Sequence, residues 1–396
     1  MTLRRFVLTA LITCASVAVS TPAQAAPSPL AGVWVEPSAG YGFLDAAVRS
    51  ATHSVALSMY EIIDPTMEQS LAAAAARGVA VRVLIDTKYE SSRNAPAVSF
   101  LSTHHVHVYW APSSQIFHAK YLVIDGVRAY IGTGNFVAYD YPSTRDFWVE
   151  DTTSSDVGAM LATFNSDVAG ASINATSNGL VWSPGSEPAI SGFIASAKHT
   201  LLVENEEMYS YDIDDALVAA AQRGVNVTVV MTYSSKYVKD LGIITAGGVH
   251  VRLMSSGQTY IHAKAMCADC VGSSGTAFVG SINFSTSSLT YNRELGVVTT
   301  TPAVVATDVP FDAIDPAMPD VHSKVRPAVV VAASQEGVLV RGIYSNETPS
   351  RSLFQAWRRA GLDHASYVDS VRIAIGPDVE VEKLVKLTDE EWNSLF

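Results

Sequence analysis

Ser54-Val55-Ala56-Leu57-Ser58-Met59-Tyr60-Glu61 is followed by an Ala-rich stretch and then by Ala76-Arg77-Gly78-Val79-Ala80-Val81-Arg82-Val83-Leu84-Ile85-Asp86. The same plan returns from Thr200. There Leu201, Leu202 and Val203 lead into Glu204 and Glu206, and a second Ala-rich stretch precedes Gln222-Arg223-Gly224-Val225-Asn226-Val227-Thr228-Val229-Val230. Each unit reads as an apolar strand, a helix and another strand, a βαβ pattern that predicts an α/β fold with a mostly parallel sheet. Asp64 is placed as a helix N-cap with Pro65 in the first turn, and Gly78 and Gly224 stand where a left-handed residue ends a helix. Arg77 to Arg223 is 146 positions and His118 to His262 is 144. Repetition at so constant a spacing predicts two lobes related by pseudo-twofold symmetry and packed face to face, which gathers equivalent residues at the axis.

Each unit runs on into a chemical motif. The first is Phe117-His118-Ala119-Lys120-Tyr121-Leu122-Val123-Ile124-Asp125, and the second begins Tyr260-Ile261-His262-Ala263-Lys264 and reaches Asp269. The apolar run after each lysine predicts a buried strand, in which residues two apart share a face, so His118 points with Lys120 and His262 with Lys264. Gly132-Thr133-Gly134-Asn135 and Gly280-Ser281-Ile282-Asn283 follow at matching places. Two imidazoles, two ammonium groups and two Asn side chains around one centre suit a tetrahedral phosphate. Lys120, Lys264, Asn135 and Asn283 would hydrogen-bond its oxygens, while one His attacks phosphorus and the other protonates the departing oxygen. A lone H-x-K is common by chance, but two copies with the same Asp spacing and the same downstream Gly-x-x-Asn inside a repeat are not.

These paired motifs resemble those of the phospholipase D superfamily, also called the HKD family, over roughly residues 30–300. The resemblance implies a single site at the lobe interface that needs no metal and no cofactor and reacts through a phosphohistidine. It makes Asp125 and Asp269, counted with the catalytic motif, mainly structural. It also implies a carboxylate that orients each reactive His, for which Asp146 and Glu294 are the candidates, because Arg145-Asp146 and Arg293-Glu294 occupy matching places. Secreted two-motif phospholipases of this type favour the first His, which makes His118 the nucleophile and His262 the general acid.

Residues 1–25 read as a cleaved signal peptide, with Arg4 and Arg5, an apolar stretch over residues 6–19 and an Ala23-Gln24-Ala25 cleavage site, so the protein is expected to be secreted. Leu11-Ile12-Thr13-Cys14 resembles a lipoprotein box only superficially, since Thr13 is a poor residue beside the cleavage point. Cleavage leaves 24 basic against 38 acidic residues, a formal charge of -14, which makes nucleic acid an unfavoured partner. A phospholipid at a membrane surface is the expected substrate, and two motifs in one chain imply a monomer. A nonspecific nuclease using the same site and a non-catalytic binding protein are the competing readings. Cys267 and Cys270, spaced C-x-x-C, favour a local disulfide over two free thiols in an oxidising compartment, and no second ligand cluster exists for zinc. His104, His105 and His107 lack acidic partners for a metal, and Tyr109, Trp110, Tyr139 and Tyr141 are candidates for a rim that touches lipid.

The domains expected are a first lobe over residues 30–170, a second over 171–300, a Pro-rich linker over 301–320, and a small α+β appendage of unknown role over 321–396. In the appendage, strands are expected near residues 327–332 and 338–340, a helix at Trp357-Arg358-Arg359, and a capping box at Thr388-x-x-Glu391. Arg326-Pro327-Ala328-Val329-Val330-Val331 weakly resembles a strand of PemK/MazF-type barrels.

Overall fold

The computed structural model describes residues 27–307, apart from 172, 178, 255–258 and 272–273, and five short strands between 328 and 375. Two seven-stranded sheets are built on one plan. The first runs in the order Leu30–Val35, Phe147–Asp151, Arg128–Gly132, Tyr121–Ile124, Ser54–Met59, Ala80–Ile85, His107–Trp110. The second runs Leu180–Ser183, Glu294–Thr299, Ser274–Gly280, Lys264–Val271, Thr200–Asn205, Asn226–Thr232, His250–Met254.

The expectation of a mostly parallel sheet is corrected. Only the last three strands of each sheet, those of the βαβ repeat and its continuation, are parallel neighbours. The other pairings in each sheet are antiparallel. A βαβ unit dictates the direction of its own strands alone. Asp125-Gly126, both at positive φ, turn the first motif strand back into Arg128–Gly132 as a tight hairpin, which reverses direction without a crossover.

Alternation along the strands divides the core. Val55, Leu57 and Met59 face a cluster covered by the helices Gly42–Ser50, Pro65–Ala76 and Ser91–Thr103, and Leu201 and Val203 face the matching cluster of the second lobe. Tyr121, Val123, Ile131 and Val149 share a third cluster with Ala265, Cys267, Val279 and Leu295 of the other lobe. These helices therefore lie on the outer faces, and the antiparallel parts of the two sheets meet on the inner side. The helix Ser154–Val168 adds Val157, Met160 and Phe164 to this shared core. The cap at Asp64 is formed, its carboxylate accepting from Thr66 N at 2.9 Å and Met67 N at 3.3 Å, an interaction worth about 1 kcal/mol.

The Pro-rich stretch read as a linker begins instead as the helix Pro302–Thr307, with Val304 and Val305 buried in the shared core. Two β-branched residues there find an apolar seat, which outweighs the local preference for an open chain. In the appendage Ala328–Ser334 pairs antiparallel with Gly337–Tyr344, close to the expected strands, and Arg351–Leu353, Tyr367–Asp369 and Ile373–Ile375 complete a small antiparallel sheet. The signal segment, the helix expected around Trp357 and the capping box at Thr388 lie outside the described residues. Among the described residues no helix is long and apolar enough to cross a membrane.

Candidate active site at the lobe junction

Each motif is held by the other lobe. Phe117 bridges to Arg293, and the N–H groups of His118 and Ala119 both donate to the Arg293 carbonyl at 2.9 Å. In mirror fashion Tyr260–Ile261 pairs with Thr144–Arg145, and His262 N donates to the Arg145 carbonyl at 3.2 Å. The motif histidines thus lie just before their strands, not within them as the apolar run had suggested. The strand ladder begins at Tyr121 in one lobe and at Lys264 in the other.

Because the two Arg-acid segments cross the junction, so do their carboxylates. His118 Nδ1 is 2.9 Å from Glu294 Oε2, and His262 Nδ1 is 2.9 Å from Asp146 Oδ1. Both acids are almost completely buried and are themselves held. Ser281 Oγ donates to Glu294 Oε2 at 2.6 Å and Ser288 Oγ to Glu294 Oε1 at 2.5 Å, while Thr133 Oγ1 donates to Asp146 Oδ1 at 2.5 Å. Glycine at position 134 is required by this arrangement, since a Cβ there would lie 2.8 Å from Asp146 Cγ and against the Tyr41 hydroxyl. With Nδ1–H committed to a carboxylate, the free lone pair of a neutral imidazole is on Nε2.

Neither arginine pairs with its neighbouring acid. Arg145 makes a bidentate bridge to Glu204 of the other lobe, with both N···O distances 3.0 Å, and Arg293 is buried against Asp167 at 2.6 Å. Breaking a buried pair of the second kind costs about 3–5 kcal/mol.

Lys120 and Lys264 are fully buried, and each donates to the carbonyl of its own motif His, Lys120 at 2.6 Å. Burial, followed by the Lys264 ammonium beside it, pushes Lys120 down to about 7. Burial also pushes His118 below the usual imidazole range, against the pull of Glu294. Asn135 lines a cleft with Tyr41, Asp140, Tyr141, Asp146, Tyr260 and His262. The Oδ1 atoms of Asn135 and Asn283 are buried without a hydrogen-bond partner among the described residues.

Asp125 and Asp269 are not brought to this centre, which corrects their place among the catalytic residues. Asp125 lies at the far end of Tyr121–Ile124, seven residues and roughly 23 Å along the chain from His118 at ~3.3 Å per residue. Its carboxylate accepts from the N–H groups of Thr52, His53 and Ser54, and Asp269 accepts from those of Lys198, His199 and Thr200. Burial opposes ionisation at both, but these backbone donors hold each carboxyl below the ordinary range. Both residues are at positive φ, a conformation Asp tolerates better than most side chains.

Glu206, Tyr60, Thr133 and Ser281 escaped the sequence reading of the site. Thr133 and Ser281 had a signal, each following a glycine at the same place in the repeat. Tyr60 and Glu206 differ between the halves, so repetition did not mark them. The Tyr60 ring stands edge-on to His118 at 4.8 Å and under the Lys120 ammonium at 5.1 Å. Glu206 Oε2 is 2.9 Å from Lys264 Nζ.

Elsewhere, Cys267 and Cys270 are joined in a disulfide with a Cα–Cα distance of 5.8 Å. Among the described residues no group of three or more His, Cys, Asp or Glu side chains could hold a metal ion. His105 sits in a left-handed turn before the strand that starts at His107, and His104 Nδ1 lies 2.7 Å from the Phe100 carbonyl. Of the four rim aromatics, Trp110 and Tyr139 are exposed. Tyr141 instead stacks on Tyr41 and donates to Asp64, and Tyr109 packs against the shared core.

The pattern of the family described as "Cardiolipin synthase, PLD-like domain" matches residues 44–168 and 190–309, one stretch per lobe and together more than half of the chain. The chain belongs to the phospholipase D-like family. Members of this family are phosphodiesterases and phospholipid-modifying enzymes. No curated protein sequence matches. Among solved structures, phosphatidylserine synthase of Haemophilus influenzae Rd KW20 is 11% identical, with a TM-score of 0.55 over 72% of this chain and 86% of that one. Polyphosphate kinase of Porphyromonas gingivalis is 16% identical, with a TM-score of 0.53 over 69% of this chain. The match spans about half of that kinase, 48% of its length. Nuc of Salmonella typhimurium, a phospholipase D family member, is 25% identical over 36% of this chain and 95% of its own, with a TM-score of 0.32. The first two likenesses show the duplicated α/β fold.

Proposed function

We propose that the protein is a secreted phospholipase D, cleaving the phosphodiester of a phospholipid to phosphatidate and a head-group alcohol through a phosphohistidine. The observation that carries the proposal is the crossed pair of His–carboxylate contacts, which sets two imidazoles beside two buried lysines at one junction. The Nε2 lone pair of His118 attacks phosphorus, and the bond to the head-group oxygen breaks with its electron pair leaving on that oxygen. His262 protonates the oxygen from Nε2, while Lys120, Lys264, Asn135 and Asn283 hold the charge that builds on the phosphoryl oxygens. Water then attacks phosphorus, giving a proton to His262, and the P–N electron pair returns to His118. An alcohol in place of water gives head-group exchange. Glu294 and Asp146 keep each imidazole in the required tautomer.

Lipid is favoured over nucleic acid by the surroundings. The site carries Glu206, Asp146 and Glu294, and Asp140 borders its cleft, so a polyanion gains little here. Tyr89, Trp110, Tyr209, Tyr233 and Tyr260 are exposed on segments at the carboxyl ends of the strands, where His118 and His262 also lie, and tyrosine and tryptophan suit a membrane interface. Export follows from residues 1–25 and accords with the disulfide. The test is purified protein with EDTA, assayed on phosphatidylcholine vesicles and on plasmid DNA. Choline release without nicking supports the proposal. Nicking alone supports a nuclease, and neither activity returns the protein to a binding role.

A further inference from the structure

Glu206 occupies in the second lobe the position that Tyr60 fills in the first. The caps show the equivalence, since Asp125 binds Ser54 N and Asp269 binds Thr200 N, and Tyr60 and Glu206 each lie six residues further on. Glu206 Oε2 lies 2.9 Å from Lys264 Nζ, 3.3 Å from Asn283 Nδ2 and 3.6 Å from His262 Nε2, and Oε1 accepts from the Tyr260 hydroxyl at 2.8 Å. The lysine and asparagine here are donors assigned above to the phosphoryl oxygens, and the imidazole is the one assigned to the departing oxygen. In the first lobe the same place beside the lysine is taken by an uncharged ring.

The charges at the junction count in a definite way. With His262 protonated to act as acid, the cations are Lys120, Lys264 and His262, and the carboxylates are Asp146, Glu294 and Glu206. Among the groups in direct contact with the two histidines and two lysines, the set is balanced only because Glu206 is present; Asp140 stands further out, at the border of the cleft. Removing it leaves one positive charge in excess, in a place where buried lysines amplify each charge. Asp146 and Glu294 are held on the histidines by their hydroxyl donors, so Glu206, one-fifth exposed, is the carboxylate placed to meet the ligand.

We propose that Glu206 determines which phosphate esters the site retains, accepting the single charge of a diester and repelling the second charge of a monoester. It would thereby promote departure of the monoester product, on the basis that the junction is the phosphodiester site described above. A monoester leaves because its extra charge finds no cation that Glu206 has not already neutralised. The first lobe, with Tyr60, has no such discrimination, so selection is a property of one half of the site.

Calorimetric titration of the full chain with methyl phosphate and dimethyl phosphate tests this without turnover. At about pH 6.5, where the Lys120 ammonium is retained, methyl phosphate is mainly a dianion and dimethyl phosphate a monoanion. In Glu206→Gln the affinity for methyl phosphate is expected to rise at least about tenfold and that for dimethyl phosphate by about threefold or less, as follows when one like charge is withdrawn. Glu206→Tyr, which copies the first lobe, should move both values in the same directions, and it stands in if the Gln variant misfolds. Equal gains for the two ligands, or no gain for methyl phosphate in either variant, overturn the proposal. If neither ligand binds the unaltered protein or a folded variant, the phosphodiester assignment of the junction falls as well.

Discussion

The two lobes share seven strands in one order, a cap at the same turn and a motif His oriented by a foreign carboxylate, yet their active halves differ in charge. In the first, Lys120 lies over the Tyr60 ring with Lys264 as its electrostatic neighbour, and its ammonium is pushed down to about 7. In the second, Lys264 is paired to Glu206, whose own carboxyl burial opposes but Lys264 and His262 hold well below the usual range. The orienting acids differ as well, Glu294 accepting from two hydroxyls on both its oxygens and Asp146 from Thr133 on one. A duplicated fold therefore supplies the symmetry of position, and single substitutions within it set a lysine whose ammonium is pushed down to about 7 against one paired to a carboxylate. Such a division suits a reaction needing one neutral and one protonated imidazole at once.

The sharpest way to break the comparison is to remove each His. His118→Ala and His262→Ala are each expected to lower kcat by at least about 10³-fold, since groups acting as a unit fail together. Rapid quenching with substrate labelled at phosphorus distinguishes them. Label should remain on denatured His262→Ala and be absent from His118→Ala; the reverse pattern exchanges the two roles.

Next in size are the crossed acids. Glu294→Gln and Asp146→Asn should each reduce kcat by about 10²- to 10⁴-fold by misorienting the imidazole each serves. A p-nitrophenyl phosphodiester, whose leaving group needs no proton, should recover most of the activity of Asp146→Asn and little of that of Glu294→Gln. Equal recovery in both would show that the halves do not divide the work.

A smaller effect is expected from pH. For the free enzyme, kcat/KM should rise as His118 loses its proton, at a value below the ordinary imidazole range, and fall as Lys120 loses its own near about 7. The resulting bell belongs to the coupled set and should be centred on the acid side of neutrality. Lys120→Arg, which stays charged, should carry the alkaline limb upward even as kcat drops. An alkaline limb unmoved by this change would assign it to another group.

The least effect on chemistry is expected at the caps, where the lobes are most alike. Asp125→Ala and Asp269→Ala should each lower stability by about 1–3 kcal/mol through loss of a charged acceptor for backbone N–H groups, read as a lower midpoint in urea with the slope unchanged. The folded carboxyl of Asp125 titrates below its unfolded value, so its contribution is complete above the unfolded value and is lost as pH falls through the folded one. Activity per folded molecule should change little. A loss as large as that of His118→Ala would return these aspartates to the catalytic centre.

Much was decided by local pattern alone. The repeat at Ser54 and Thr200, the N-cap at Asp64, the left-handed glycines after each Ala-rich helix and the paired H-x-K motifs are legible because the chain's own periodicity and turn chemistry produce them. Asp146 and Glu294 were candidates as well, because the family resemblance implies a carboxylate for each histidine and these two recur at matching places. What tertiary structure decided is the crossing. Which His each acid serves depends on Thr144–Arg145 and Arg293 pairing with the strand-like segments of the opposite lobe, contacts between residues more than a hundred positions apart. The helix at Pro302–Thr307, seated in the core that both sheets share, belongs to the same class. Each follows from a surface that exists only once two folded lobes meet, whereas periodicity and capping act within a few residues and leave their record in the chain itself.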